Sequence, residues 1–135
     1  LMYFCSPFIA WFLSGTLKFL INYFKYGKDA KNRIGNGGFP STHTTIMTTI
    51  TGLIGLKEGF STPIFGLAIA ITFIVIIDAL GLRRALGEHA KIVNKLKTEV
   101  GFVTTDLREQ QGHSKFEVLG GLVLGTTIAG IISLF

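Results

Sequence analysis

The stretch TPIFGLAIAITFIVIIDAL, residues 62–80, carries no charge before Asp78. A helix needs about 20 predominantly apolar residues to cross a bilayer, and this run supplies them without interruption. Soluble cores gather apolar residues at spaced positions, whereas a continuous run is what a lipid-facing helix presents. The stretch therefore reads as a membrane span, and the chain is expected to fold as an all-α transmembrane bundle.

Working outward, Leu1–Phe24 is nearly continuous apolar and aromatic sequence interrupted mainly by Lys18 and Asn22, and Phe116–Phe135 is another apolar run with Glu117 at its entrance. Ser41–Leu56 is less apolar and rich in threonine, and as a helix it covers only about 24 Å of a roughly 30 Å hydrocarbon core. That helix is expected to be short or buried among its neighbours. The connections 25–40 and 57–61 are polar, the first dense in Lys, Asn and Gly. The connection 81–115 holds seven Lys or Arg, and its apolar residues Leu86, Ala90, Val93 and Leu96 fit a helix lying on the membrane surface. The expected architecture is a single domain, 1–135, with about four spans plus a surface helix.

Composition agrees: of 135 residues 48% are hydrophobic and 16% charged, and the mean hydropathy of +0.52 lies on the membrane side of the soluble range. A net charge of +5 does not point to nucleic acid, because the basic residues share short loops with glycines and lack aromatic interleaving. The lone Cys5 can form no disulfide within the chain. Four spans place loops 25–40 and 81–115 on one side, and these carry eleven of the thirteen Lys and Arg. The positive-inside rule makes that side cytoplasmic. The same topology brings the starts of the second and fourth spans and the end of the third to that face.

Two polar clusters fall there. In Gly37-Gly38-Phe39-Pro40-Ser41-Thr42-His43 a glycine-rich turn, a proline and two hydroxyls open a helix, where free N–H groups and the dipole favour an anion, and His43 adds a titratable proton donor. The bland alternative is a capped helix start with Ser41 as the cap. In Gly112-His113-Ser114-Lys115-Phe116-Glu117 the imidazole and carboxylate are four residues apart, so on a helix they share a face, and the carboxylate can hold one ring nitrogen while the other attacks an electrophile. The pair alone would also suit a structural hydrogen bond or half of a metal site. His89 has no orienting neighbour, Gly121-x-x-x-Gly125 is a helix-packing pattern, and Asp78 with Arg83 and Arg84 reads as an interfacial charge cluster.

The stretches GGFPSTH (37–43), DALGLRRALGEHAKIVNKL (78–96) and GHSKFEVLGG (112–121) resemble the signature blocks of the divergent type 2 phosphatidic acid phosphatase family, related to vanadium haloperoxidases. The resemblance covers roughly Lys18 to Gly121. It implies a metal-independent phosphatase without cofactor, in which His113 is the nucleophile, Glu117 its orienting carboxylate and His43 the general acid. Ser41 and the backbone around Gly38 would help to hold the phosphoryl oxygens, with Lys18, Arg33, Arg83, Arg84 and Arg108 as cationic clamps. Glu117 stands where better-known members carry Asp, and Arg108 lies five rather than six residues before the histidine. Those members usually have six spans, so a site built on four would be closed by a surface helix, a re-entrant segment or a second subunit, the last making a homo-oligomer. The expected partners are membrane lipids, with a phosphorylated lipid of the inner leaflet, phosphatidylglycerophosphate or phosphatidate, as substrate. The rival readings are a non-catalytic membrane protein that binds anionic headgroups or a partner, and a His/Glu metal site.

Overall fold

The computed structural model of the chain describes residues 1–28 and 38–135. Among them lie five α-helices and no strand: α1 (Met2–Tyr26), α2 (Thr42–Glu58), α3 (Pro63–Leu80), α4 (Leu82–Val100) and α5 (Lys115–Ser133). Among the described residues three helical stretches are long and apolar enough to cross a bilayer, namely Met2–Tyr26, Pro63–Val100 and Lys115–Ser133. In the second, α3 is the apolar part and α4 is amphipathic.

The remaining helix, α2, has 17 residues and is enclosed by the others, packing on α5, α1 and α3. Leu53, Thr44, Thr45 and Thr49 are fully buried. A helix of threonines can sit at the centre because most of its buried hydroxyls find a partner there: Thr45 Oγ1 donates to Ser41 O (2.9 Å), Thr49 Oγ1 to Thr45 O (2.8 Å), and Thr51 shares a hydrogen bond with Thr72 of α3 (2.8 Å). Thr48 Oγ1, by contrast, is buried without a partner among the described residues. The short buried helix foreseen in the sequence is therefore the core of the bundle. On α1 the small residues Ser6, Ala10 and Ser14 are its buried positions, and large side chains such as Phe8, Phe12 and Trp11 face outward. Apolar exposure of this kind is what a lipid solvent calls for.

Chain direction follows from a few contacts. The Tyr3 hydroxyl hydrogen-bonds Glu58, so α1 begins where α2 ends. At the opposite end Ser41 N donates to Glu117 O (2.8 Å) and His113 N donates to Ala79 O (3.1 Å), which joins the starts of α2 and α5 to the end of α3. The polar clusters read from the sequence are thus collected at one end of the bundle.

The Gly121 and Gly125 pattern is what lets α5 approach α2. A Cβ at Gly121 would lie 2.7 Å from Ser41 O and 2.8 Å from Thr44 Cβ, and one at Gly125 would lie 2.7 Å from Thr45 O. Gly121→Leu is expected to destabilise the bundle by about 1–3 kcal/mol through overpacking, read as a lowered Tm in detergent. Gly130→Ala, where a Cβ meets nothing within 4 Å, serves as the control and should leave the Tm unchanged or raised. Equal melting of the two variants would contradict this account of the α2–α5 contact.

Gly81 alone separates α3 from α4. The surface helix expected around 85–96 is longer, beginning straight after the span. From Gly101 the chain returns along α4 without regular structure to Ser114. Asn94 holds this return segment by pairing with both backbone groups of Leu107, donating from Nδ2 to its O and accepting at Oδ1 from its N, each at 2.8 Å. Lys97 adds an ion pair to Asp106. Gly87 and Gly112 permit the close approach, since a Cβ on either would collide with Glu109 O or with Arg84.

Candidate functional site

Two helix starts carry the site. Ser41 is the N-cap of α2, accepting from Thr44 N (3.4 Å) and from Thr44 Oγ1 (2.9 Å), and it is fully buried. The capping role weighed as its bland reading is therefore real, and His43 follows in the first turn, with its ring exposed. At α5 the N-cap is Ser114, which with Glu117 forms a capping box. Its sequence signal is Ser at the cap with Glu three residues on, a signal distinct from the His113–Glu117 spacing.

The His113–Glu117 pair forms, but not by sharing a helical face. His113 lies outside α5, one residue before the cap, and its Nδ1 is 2.9 Å from Glu117 Oε2. The same oxygen accepts from Ser114 N at 3.0 Å. One carboxylate oxygen thus closes the capping box and holds the imidazole. With Nδ1–H donated to the carboxylate, Nε2 is left with its lone pair as the nucleophilic edge. The His113 ring is 6% exposed, and its backbone N–H is tied to Ala79, so the imidazole is fixed from both ends.

His43 and His113 face each other with ring centroids 6.4 Å apart and planes inclined at 60°. An in-line transfer needs about 3–3.5 Å between attacking nitrogen and phosphorus and about 2.6–3.2 Å between a proton donor and the leaving oxygen. Centroids 6.4 Å apart make the two rings neighbours that can act on the same small group. Arg83, Lys18 and Asp78 lie close enough for their charges to act on His43, and Lys18 is within electrostatic reach of Glu117 and Arg108. Arg83 itself is paired to Asp78 (2.7 Å), the charge cluster read at the end of the third span.

A cleft of about 680 Å³ opens beside the pair. Of the residues foreseen, Gly38, Arg84, His113 and Glu117 line it, together with Asn22 and Tyr26 of α1 and Lys115. Gly38 has φ of 126°, in the region that favours glycine. Among the described residues Lys18, Ser41, His43, Arg83 and Arg108 are not in its walls, and Arg108 is exposed with Nε donating to Gln110 O (3.2 Å). Arg33 lies outside the described residues. Asn22 and Tyr26 are one turn apart near the end of α1, and only the position of α1 against the other helices could have marked them. Among the described residues no three His, Cys, Asp or Glu side chains converge as a metal would require.

Fold and site define a polytopic α-helical membrane protein with a carboxylate-held imidazole facing a second imidazole, with Arg84 and Lys115 in the adjoining cleft and Lys18 and Arg83 nearby, at one end of the bundle. A sequence model of the Divergent PAP2 family matches residues 2–128, and the chain belongs to that family. It is similar to a curated protein of Bacillus subtilis (strain 168) described as the uncharacterized membrane protein YuiD, with 26% identity over 114 residues, covering 73% of this chain and 72% of that one. No solved structure matches it significantly.

Proposed function

We propose that the protein is a lipid phosphate phosphatase that hydrolyses a phosphomonoester through a phosphohistidine. The observation that carries this reading is the 2.9 Å contact of His113 Nδ1 with Glu117, with the His43 ring opposite. His113 Nε2 attacks phosphorus as the P–O bond to the lipid alcohol breaks, and His43 gives its proton to the departing oxygen. Water then attacks the phosphohistidine, losing its proton to the now neutral His43, and inorganic phosphate leaves His113 free. Lys18, Arg83, Arg84 and Arg108, with Arg33 and the backbone around Gly38, would stabilise charge on the phosphoryl oxygens. Positioning and charge stabilisation are the main needs of such a transfer.

The substrate class follows from the setting. The cleft lies at the end of the bundle where α1 ends and α5 begins, and the basic loops favour a cytoplasmic setting at headgroup depth. Inner-leaflet monoester lipids, phosphatidylglycerophosphate or phosphatidate, suit it. Purified protein should release inorganic phosphate from short-chain lipid phosphates, retain activity with chelators, and be inhibited competitively by vanadate, whose trigonal-bipyramidal geometry resembles the transition state. Loss of activity on chelation with indifference to vanadate would favour a metal site. Binding of anionic lipid without phosphate release would favour the non-catalytic reading.

A further inference from the structure

The bundle leaves one apolar face outside its spans. On α4 the residues Leu82, Leu86, Val93, Leu96 and Val100 recur at helical spacing and are 73%, 51%, 47%, 53% and 79% exposed. The return segment does not cover them, because it packs on the side bearing Gly87 and Asn94. It extends the face instead: Val93, Leu96 and Val100 share an apolar groove of about 420 Å³ with Phe102 and Leu107. Val103 beside it is 97% exposed.

We infer that α4 and residues 101–107 form an interfacial paddle that lies in the headgroup plane of an anionic leaflet, with this apolar face turned into the acyl chains. Two observations choose lipid as the occupant. First, α4 leaves α3 after Gly81 alone, and α3 is the apolar part of a span, so the paddle starts at the membrane boundary. Second, residues 82–115 carry seven Lys or Arg against four Asp or Glu, Glu88, Glu99, Asp106 and Glu109. Three of the cations are paired, Arg83 with Asp78, Lys91 with Glu88 and Lys97 with Asp106. Arg84, Lys95 and Lys115 have no acidic partner among the described residues. A basic amphipathic helix with its apolar side unpartnered is what an anionic interface binds. Because the return segment ends at Gly112 against Arg84, a seated paddle would hold the rim of the cleft at headgroup depth. The inference does not depend on the cleft being catalytic.

Nitroxide labels at single cysteines in a Cys5→Ser background test it, with the protein in vesicles of phosphatidylcholine and phosphatidylglycerol. Labels replacing Leu86, Val93 and Val100 should be relaxed several-fold more by oxygen than by a water-soluble nickel chelate. Labels replacing Lys91 and Lys95 should show the opposite ratio. In vesicles of phosphatidylcholine alone, or at high salt, the contrast should shrink. Nickel-dominated relaxation at all five sites overturns the inference. Protection of Leu86, Val93 and Val100 from both reagents, with spin–spin broadening that vanishes on dilution with unlabelled protein, overturns it in favour of a second copy on the same face.

Discussion

The His113→Ala variant is expected to lose at least about 10⁴-fold in turnover on every phosphomonoester, lipid or aryl, since removal of a nucleophile leaves only what binding and charge stabilisation provide. His113 is buried and anchored through its backbone to α3 and through Nδ1 to Glu117, so no other imidazole can take its place. Glu117→Gln separates the two duties of the carboxylate. Glutamine still serves in a capping box and can accept from Nδ1–H, so the start of α5 should survive, while the charge that favours imidazolium and fixes the tautomer is gone. A loss of about 10²–10⁴-fold is expected, as when an orienting carboxylate is neutralised elsewhere. Mass spectrometry of acid-labile, alkali-stable phosphoryl adducts should place the phosphate on His113 in the wild type and find none in His113→Ala. Turnover by His113→Ala within tenfold of wild type would end the phosphohistidine reading.

The helices were legible because lipid imposes long apolar runs, and the ends of α2, α3 and α5 fell within a residue or two of where polarity changes. That α5 packs closely on a neighbour was also legible, because a pair of glycines four residues apart has few other uses in a span, but the pattern does not say that the neighbour is α2. What hydropathy could not show is which helix lies in the middle. Threonine lowers the apolar score of α2, yet the hydroxyls of Thr45 and Thr49 are satisfied by carbonyls one turn back and that of Thr51 by Thr72, so the least apolar of α1, α2, α3 and α5 is the most enclosed.

At the site, residue types were legible and their geometry was not. His113 and Glu117 were found by an argument about helical faces, but they meet through a cap, because the chain arrives at α5 extended and Ser114 starts the helix after the histidine. Ser41 illustrates the limit from the other side: the same residue suits a phosphate ligand or a cap, and only its burial and its bonds to Thr44 show the cap formed. The return of 101–112 along α4 had no periodic signal. It depends on Asn94 recognising the backbone of Leu107 and on the absence of side chains at Gly87 and Gly112, long-range facts that no local pattern encodes.

The second large effect separates the two histidines by the leaving group. His43 stands in the first turn of α2, exposed at the end of the bundle and across from the fixed His113 ring. In the proposed mechanism it donates a proton to the departing oxygen, a contribution of about 10²–10⁴-fold when the leaving group is a poor one. A lipid alkoxide is such a group, whereas an acidic phenolate departs without protonation. His43→Ala should therefore lose about 10²–10⁴-fold in kcat/KM on short-chain phosphatidate and roughly tenfold or less in kcat/KM on an aryl phosphate with an acidic phenol, with the adduct at His113 still forming from the aryl ester. Because His43 also serves as base for the attacking water, that adduct should accumulate in the variant, visible as a burst of phenol near one equivalent per active site followed by slow turnover. A burst with His43→Ala and none with His113→Ala would fix nucleophile and acid as assigned here. Equal losses by both variants on lipid and aryl substrates would show the assignment to be wrong, even if phosphate release itself is confirmed.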